Sequence, residues 1–280
     1  MENFQDSNSQ DSTFQSSNFQ SSIPARVNQS SDKLLLLLET MTTQSEPLRL
    51  QDIARLCEMN ASTALRFLKA LQKRQYVHQD AETGRYYLTF KLCALAQNVS
   101  SFFDMRSLVR PFLRSVSQMF SESCNLAIER DMTVIYIEVE KGPNKMLVSM
   151  QRIGNVAPLH CTGVGKLFLT EYSPMALEQL IAIKGLARYT QHTITDPNGL
   201  KTELDNIKKV GYAFDNEECE DGARCIAVPL RDYTGKIKAG LSVSGPVVRM
   251  TDGHIFLHLP HLLNAAEQIS FRMGWQRAPE

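Results

Sequence analysis

A chain of 280 residues, 43% hydrophobic and 21% charged, is long enough for two ordinary domains, each with its own buried core. No apolar run approaches the roughly 20 residues a membrane-spanning helix needs, and the N-terminus lacks the basic-then-apolar order of a secretory signal, so a cytoplasmic protein is expected. The formal net charge of zero argues against indiscriminate nucleic-acid binding, yet residues 26–91 carry ten Lys/Arg against seven Asp/Glu while residues 1–25 carry three acids and no base.

Residues 1–25 are Ser, Gln and Asn with isolated Phe, and Gln5, Gln10, Gln15 and Gln20 recur every five residues with Ser7, Ser12, Ser17 and Ser22 in step. Such a segment has too little apolar surface for a core and is expected to be a disordered tail. Ser31 and Asp32 are then placed to cap a helix carrying Leu34, Leu37, Leu38 and Met41 at helical spacing. Pro47 breaks the chain, Leu50, Ile53, Ala54 and Cys57 mark a short second helix, and a third begins near Ser62 after a tight turn, the order of a helix-turn-helix. The third helix is expected to bury Ala61, Ala64, Leu65, Leu68 and Leu71 and to expose Ser62, Arg66, Lys69 and Lys73 on the opposite face.

Tyr76 and Val77 lead into a turn over residues 80–84 and out through Tyr86 to Leu88, a hairpin with Gly84 where a positive φ is required. This is the expected wing, closing a DNA-binding domain over residues 26–90. From Lys91, the stripe Leu92, Leu95, Ala96, Val99, Phe102 and Phe103 predicts a linking helix over residues 91–104 that helps to dimerise.

Residues 105–280 read as a second, α+β domain. A helix through Leu108, Val109, Phe112, Leu113 and Val116 precedes strands over residues 124–129 and 134–139. Helices over 174–183 and 197–210 separate these from strands over 225–230 and 237–243, and a last helix over 252–273 is expected to be disturbed at Pro260.

The segments Pro47-Leu48, Asp52-Ile53-Ala54-Arg55, Ser62-Thr63 with Arg66 and Leu68, and Thr83-Gly84-Arg85-Tyr86 occupy the first domain. In the second stand Arg110-Pro111, Pro158-Leu159-His160, Gly165-Lys166, Gly211-Tyr212-Ala213, Glu217-Glu218, Arg224-Cys225-Ile226-Ala227 and Ser242-Val243-Ser244-Gly245-Pro246. With these motifs the chain resembles the IclR family of bacterial transcriptional regulators from about Arg26 to Ser270. The resemblance implies a winged helix-turn-helix, a linking helix and a GAF-like effector-binding domain with an antiparallel sheet flanked by helices. It also implies self-association as a dimer or dimer of dimers on double-stranded operator DNA, no enzymatic activity and no cofactor. Ala61 stands where the family often has a basic residue and Gln75 where it often has glycine, so the operator sequence does not transfer.

In such a domain the polar face of the third helix reads the major groove, here with Ser62, Thr63, Arg66 and Lys69. A bidentate Arg66–guanine contact would contribute about 1–3 kcal/mol of discrimination, while Lys73 and Arg85 suit phosphates. For the effector, Thr162-Gly163-Val164-Gly165 reads as a turn opening a helix, whose free amides favour a carboxylate. By resemblance the pocket is completed by the amides of Gly163 and Val164, by Asp215 and Cys225, and by Ser242 and Ser244, which strand alternation puts on one side. Met146, Ser149, Ala157 and Ala223 would line the rest, and the small Ser149 and Ala157 point to an organic or sugar acid larger than a two-carbon acid.

Two rivals use the same region. One is a redox- or metal-responsive regulator built on Cys161, Cys219, Cys225 and His160; the other is a hydrolase with Cys161 as nucleophile and His160 as base. The six cysteines otherwise form no CxxC pair and read as reduced thiols. His254, His258 and His261 share helical spacing but are expected to form a solvated face, and the acidic run from Glu217 to Asp221 is expected to be a solvated loop.

Overall fold

The computed structural model describes residues 28–102, 104–143 and 152–276; the expected tail and Phe103 lie outside them. The chain divides into two compact units, Met1–Phe103 and Asp104–Glu280.

The first unit runs α1 (Gln29–Thr42), α2 (Leu50–Leu56), α3 (Ala61–Lys73), β1 (Val77–Gln79), β2 (Tyr86–Leu88) and α4 (Lys91–Phe102). Two caps differ from the sequence reading, because an asparagine just upstream supplies the oxygen that the first amides need. Asn28 accepts from Ser30 N and starts α1 before Ser31, and Asn60 accepts from Thr63 N at 2.8 Å and starts α3 at Ala61. The stripe of α3 that enters the core is Ala64, Phe67, Leu68 and Leu71, with Ala61 and Leu65 only half-buried. The Phe67 ring takes the place expected for Leu65 and packs with Leu37, Ile53, Val77 and Tyr86. Gln75 has φ 62°, so a residue with a Cβ holds the left-handed turn where a glycine would be free of strain.

In the wing, the Asp80 carboxylate accepts from the Glu82 and Thr83 amides at 3.1 and 2.7 Å, and Gly84, at φ 67°, turns the chain back. Leu48 adds a bridge that the sequence did not suggest, exchanging backbone hydrogen bonds with Tyr86 at 3.0 and 2.8 Å. On α4, Leu92 is half-buried, while Leu95 and Ala96 are exposed.

The second unit opens with α5 (Met105–Phe120), β3 (Ser123–Arg130), β4 (Thr133–Glu140) and β5 (Val156–Ala157). It continues through α6 (Gly163–Leu169), α7 (Pro174–Lys184), α8 (Pro197–Val210) and β6 (Ala213–Asn216), and ends with β7 (Ala223–Arg231), β8 (Ile237–Pro246) and α9 (Asp252–Arg272). Its strands make one antiparallel sheet in the order β5-β4-β3-β8-β7-β6. Alternation along each strand gives the sheet two apolar faces. Cys124, Leu126, Ile226, Val228, Leu241 and Val243 meet α5 and α9 on one side; Ala127, Val134, Tyr136, Ala213 and Ala227 meet α6, α7 and α8 on the other. The helix expected to be disturbed at Pro260 runs unbroken over Asp252–Arg272. Pro260 and Phe256, whose carbonyl loses its partner within the helix, are both exposed.

The short helix α6 is wholly buried and seats directly on the sheet. Gly240 permits this, since a Cβ there would lie 2.7 Å from Val164 Cγ1. The same helix carries Lys166, whose ammonium is fully buried and bonds Glu218 at 2.5 Å and Glu203 of α8 at 3.1 Å. Replacing Lys166 with Met leaves Glu218 charged and buried and is expected to cost about 3–5 kcal/mol, whereas Lys166→Met with Glu218→Gln recovers part of the loss. Urea unfolding of the three proteins measures both.

Candidate functional site

The first candidate surface lies on α3. Ser62, Arg66, Lys69 and Lys73 are all exposed along one side of the helix, and Thr63 is half-buried beside them. Arg66 lies over the Phe67 ring at 5.3 Å, and Arg66, Lys69 and Lys73 have no ion-pair partner among the described residues. A cationic helix face without internal partners is matched to phosphates and base edges. Arg85 is placed differently: it is half-buried and donates to the Pro47 carbonyl at 3.1 Å, so it braces the wing against the segment before α2.

The second candidate site lies on the α6 side of the sheet. Asp215, Cys225 and Ser244 are direct lateral neighbours across β6, β7 and β8, while Ala213, Ala227, Ser242 and Asn125 form the next row, across β6, β7, β8 and β3. Ser242 and Ser244 are both buried and point to one side, since Asn125 Nδ2 donates to both hydroxyls, at 3.5 and 3.3 Å. Ser244 donates to Cys225 Sγ at 3.1 Å. Ala157 joins this face opposite Val134, and Gly163 and Val164 begin α6 above it, with amides that have no partner earlier in the helix. Ala223 sits at the strand end, half-buried; Met146 and Ser149 lie outside the described residues.

The electrostatics follow from burial. Asp215 is taken out of water, which pushes its carboxyl up from 3.8 to about 7 despite hydrogen bonds from the Glu218 and Cys219 amides at 2.8 and 3.3 Å. The Cys225 thiol is pushed up to about 12, first by burial and then by the charge on Asp215. This is a site of neutral donors and acceptors, suited to orient an incoming anion and poorly suited to generate a nucleophile.

Asn125 and Tyr136 belong to this face and were not singled out by sequence reasoning. Only the strand parity, odd on β3 and even on β4, could have found them. The acidic run after Asn216 is also not the solvated loop expected: Glu218 is 5% exposed, because Lys166 draws it inward, and Glu217 accepts from the Gly222 amide. His254, His258 and His261 do gather on one side of α9, and His254 engages the Phe120 carbonyl through Nε2 at 3.0 Å. Burial and the two neighbouring imidazoles hold His258 below its usual range.

The geometry does not support the nucleophile pair. His160 Nε2 donates to the Ala187 carbonyl at 3.0 Å, and a hydrogen bond with Cys219, together with burial, pushes the Cys161 thiol up. All six cysteines are free, and among the described residues no group of three or more His, Cys, Asp or Glu side chains could hold a metal ion. No helix among the described residues is long and apolar enough to cross a membrane.

A carboxyl whose folded value lies above its unfolded value stabilises the fold only while protonated. The contribution of Asp215 is therefore complete below about pH 4 and is lost as pH rises toward about 7. Asp215→Asn is expected to remove this component, so that the stability difference between variant and wild type changes across that window and is flat above it. Chemical denaturation at stepped pH tests the sign.

Comparison with known proteins places both halves. The profile described as "Bacterial transcriptional regulator IclR C-terminal" matches residues 97–271, and that of the "IclR helix-turn-helix domain" matches residues 30–81. The transcriptional regulator BhcR of Paracoccus denitrificans is 32% identical over 246 residues, covering 87% of this chain and 86% of that protein. The transcriptional repressor IclR of Escherichia coli is 30% identical over 251 residues, covering 89% and 91%. The crystal structure of the Thermotoga maritima IclR superposes with a TM-score of 0.59 at 28% identity, covering 89% of this chain and all of that one.

Proposed function

This chain belongs to the IclR family of transcriptional regulators, and on that premise we propose that it binds operator DNA through α3 and the wing and releases or tightens that grip when a small organic acid occupies the sheet of its second unit. The chain is a DNA-binding regulator rather than an enzyme, as its relatives are. The observation that carries the finer reading is the row Asp215, Cys225 and Ser244 with Ser242 and Asn125 beside it: polar groups in a water-poor site, facing the first amides of α6.

Each group has a role in holding a carboxylate. The hydroxyls of Ser242 and Ser244 donate, as do the amides of Gly163 and Val164. Asp215, its carboxyl pushed up to about 7, is half protonated at neutral pH and in that form presents a donor where an ionised carboxylate would repel the ligand. Ala157 and Ala223, with Met146 and Ser149, leave room around the acid. On DNA, Ser62, Thr63, Arg66 and Lys69 read bases and Lys73 holds phosphate, with Arg85 steadying the wing. Two copies, paired in part through the exposed stripe of α4, would present two such helices to two half-sites, alone or as a dimer of dimers in the cytoplasm. The repressor names of several relatives suggest repression as the resting activity. An acid that binds one arrangement of the assembly better than the other shifts the population toward it.

Binding to promoter fragments is expected to weaken steeply with salt, the log-log slope falling by about 0.9 for each phosphate neutralised. Arg66→Ala should relax discrimination at one base pair, whereas Lys73→Ala should weaken all sequences alike and flatten the slope by about one phosphate. Titrations at 50 to 300 mM salt separate the two; a slope indifferent to both variants contradicts the assignment. For the effector, an acid at a hundred times its dissociation constant should stabilise the full chain by about 2.7 kcal/mol. In thermal unfolding against sugar acids, 2-oxo acids, dicarboxylates and aromatic acids, Ser242→Ala and Ser244→Ala should each remove that gain, and uniform inertness would end the carboxylate reading.

A further inference from the structure

Beyond Asp215, a cavity of about 360 Å³ opens between the start of β4, β5 and the C-terminal end of α7. That volume falls in the range of small-molecule sites. Its walls are largely apolar, formed by Met132, Val156, Pro158, Leu180 and Tyr189, with Ala157 shared with the sheet face described above. Lys184, exposed at the end of α7, stands at the rim and has no ion-pair partner among the described residues.

Two residues join this cavity to the polar row. Cys219 lines the cavity, while its amide donates to Asp215 Oδ1 at 3.3 Å. Tyr136 is 5% exposed on the α6 side of β4. The phenol has Cys225, Cys219, Asp215 and Cys161 as neighbours, and burial with those groups pushes it up, so it stays a neutral donor. His160 also lines the cavity: it commits Nε2 to Ala187, and burial keeps the ring neutral, leaving Nδ1 as an acceptor.

We infer that the effector is an organic acid with an apolar arm, its carboxylate in the Asp215, Cys225 and Ser244 row and accepting from Tyr136 as well, and its arm past Cys219 in the cavity under α7. This rests on the carboxylate reading above. A second carboxylate on the arm would meet apolar walls and a single cation at the rim, so monoacids with aliphatic or phenyl arms fit better than dicarboxylates. Each methylene that enters the cavity should tighten binding about fourfold.

The test is thermal unfolding and calorimetry of the full chain with acetate, butanoate, hexanoate and 3-phenylpropanoate, each beside its 2-oxo counterpart, and glutarate as the two-headed control. The expected result is an affinity that rises with arm length through hexanoate or the phenyl acid, with glutarate weaker than hexanoate. Leu180→Trp and Val156→Trp, which fill the cavity, should return the long acids to the affinity of the short ones without changing the latter, and Tyr136→Phe should weaken the whole series. If short acids bind and lengthening adds nothing, or if the filling variants leave the long acids unaffected, the cavity inference is overturned and the carboxylate reading stands. If no acid of any length binds, both fall.

Discussion

The fully buried ammonium of Lys166 constrains how α6, α8 and the β6–β7 loop of the second unit are arranged. Removing such a charge from water costs several kcal/mol and is tolerated only when the counter-charge is held in place. Here Glu218 and Glu203 are drawn to it from the β6–β7 loop and from α8, so one cation ties together α6, α8 and the end of β6. With Glu218 turned inward, its amide and that of Cys219 are left facing Asp215 and hold that carboxyl in the row with Cys225 and Ser244. The ion pair adds little net stability by itself; its consequence is position.

The sheet turns that position into a division of labour. One face is sealed by α5 and α9 with apolar side chains, a close-packed unit. The other meets α6, α7 and α8 and carries the buried polar row of Asp215, Cys225 and Ser244 with Ser242 and Asn125. A ligand that contacts both the strands and α6 therefore bridges elements joined otherwise by Lys166 and by the close seating of Val164 on Gly240. Ligand binding in such a place has a physical means of altering the unit's shape.

How far the sequence anticipated this depends on whether the cue was local. Gly84 in the wing, the serine parity of β8 and the helix over Pro197–Val210 follow from spacing and backbone preference within a few residues, and all are found in the structure. What escaped depends on distant partners. The acidic run after Asn216 reads as solvated until Lys166, about fifty residues earlier, is seen beside it. Asn125 and Tyr136 look like ordinary strand residues until the register brings Ser242 and Cys225 alongside. Pro260 reads as a disturbance of its helix, yet the helix runs through it at an exposed position. The hydrogen bond from Arg85 to Pro47 likewise spans 38 residues and could not be read from local spacing.

The central claim is that a small acid on the α6 face of the second unit changes how the first unit holds DNA. Fluorescence anisotropy of the full-length protein on a genomic fragment it selects, with and without a stabilising acid, tests this most directly, run in parallel on wild type and the Ser242→Ala, Ser244→Ala double variant. The account predicts a change in DNA affinity of about 5- to 150-fold in the wild type and none in the variant. Equal DNA affinity with and without an acid that demonstrably occupies the wild-type site would contradict it.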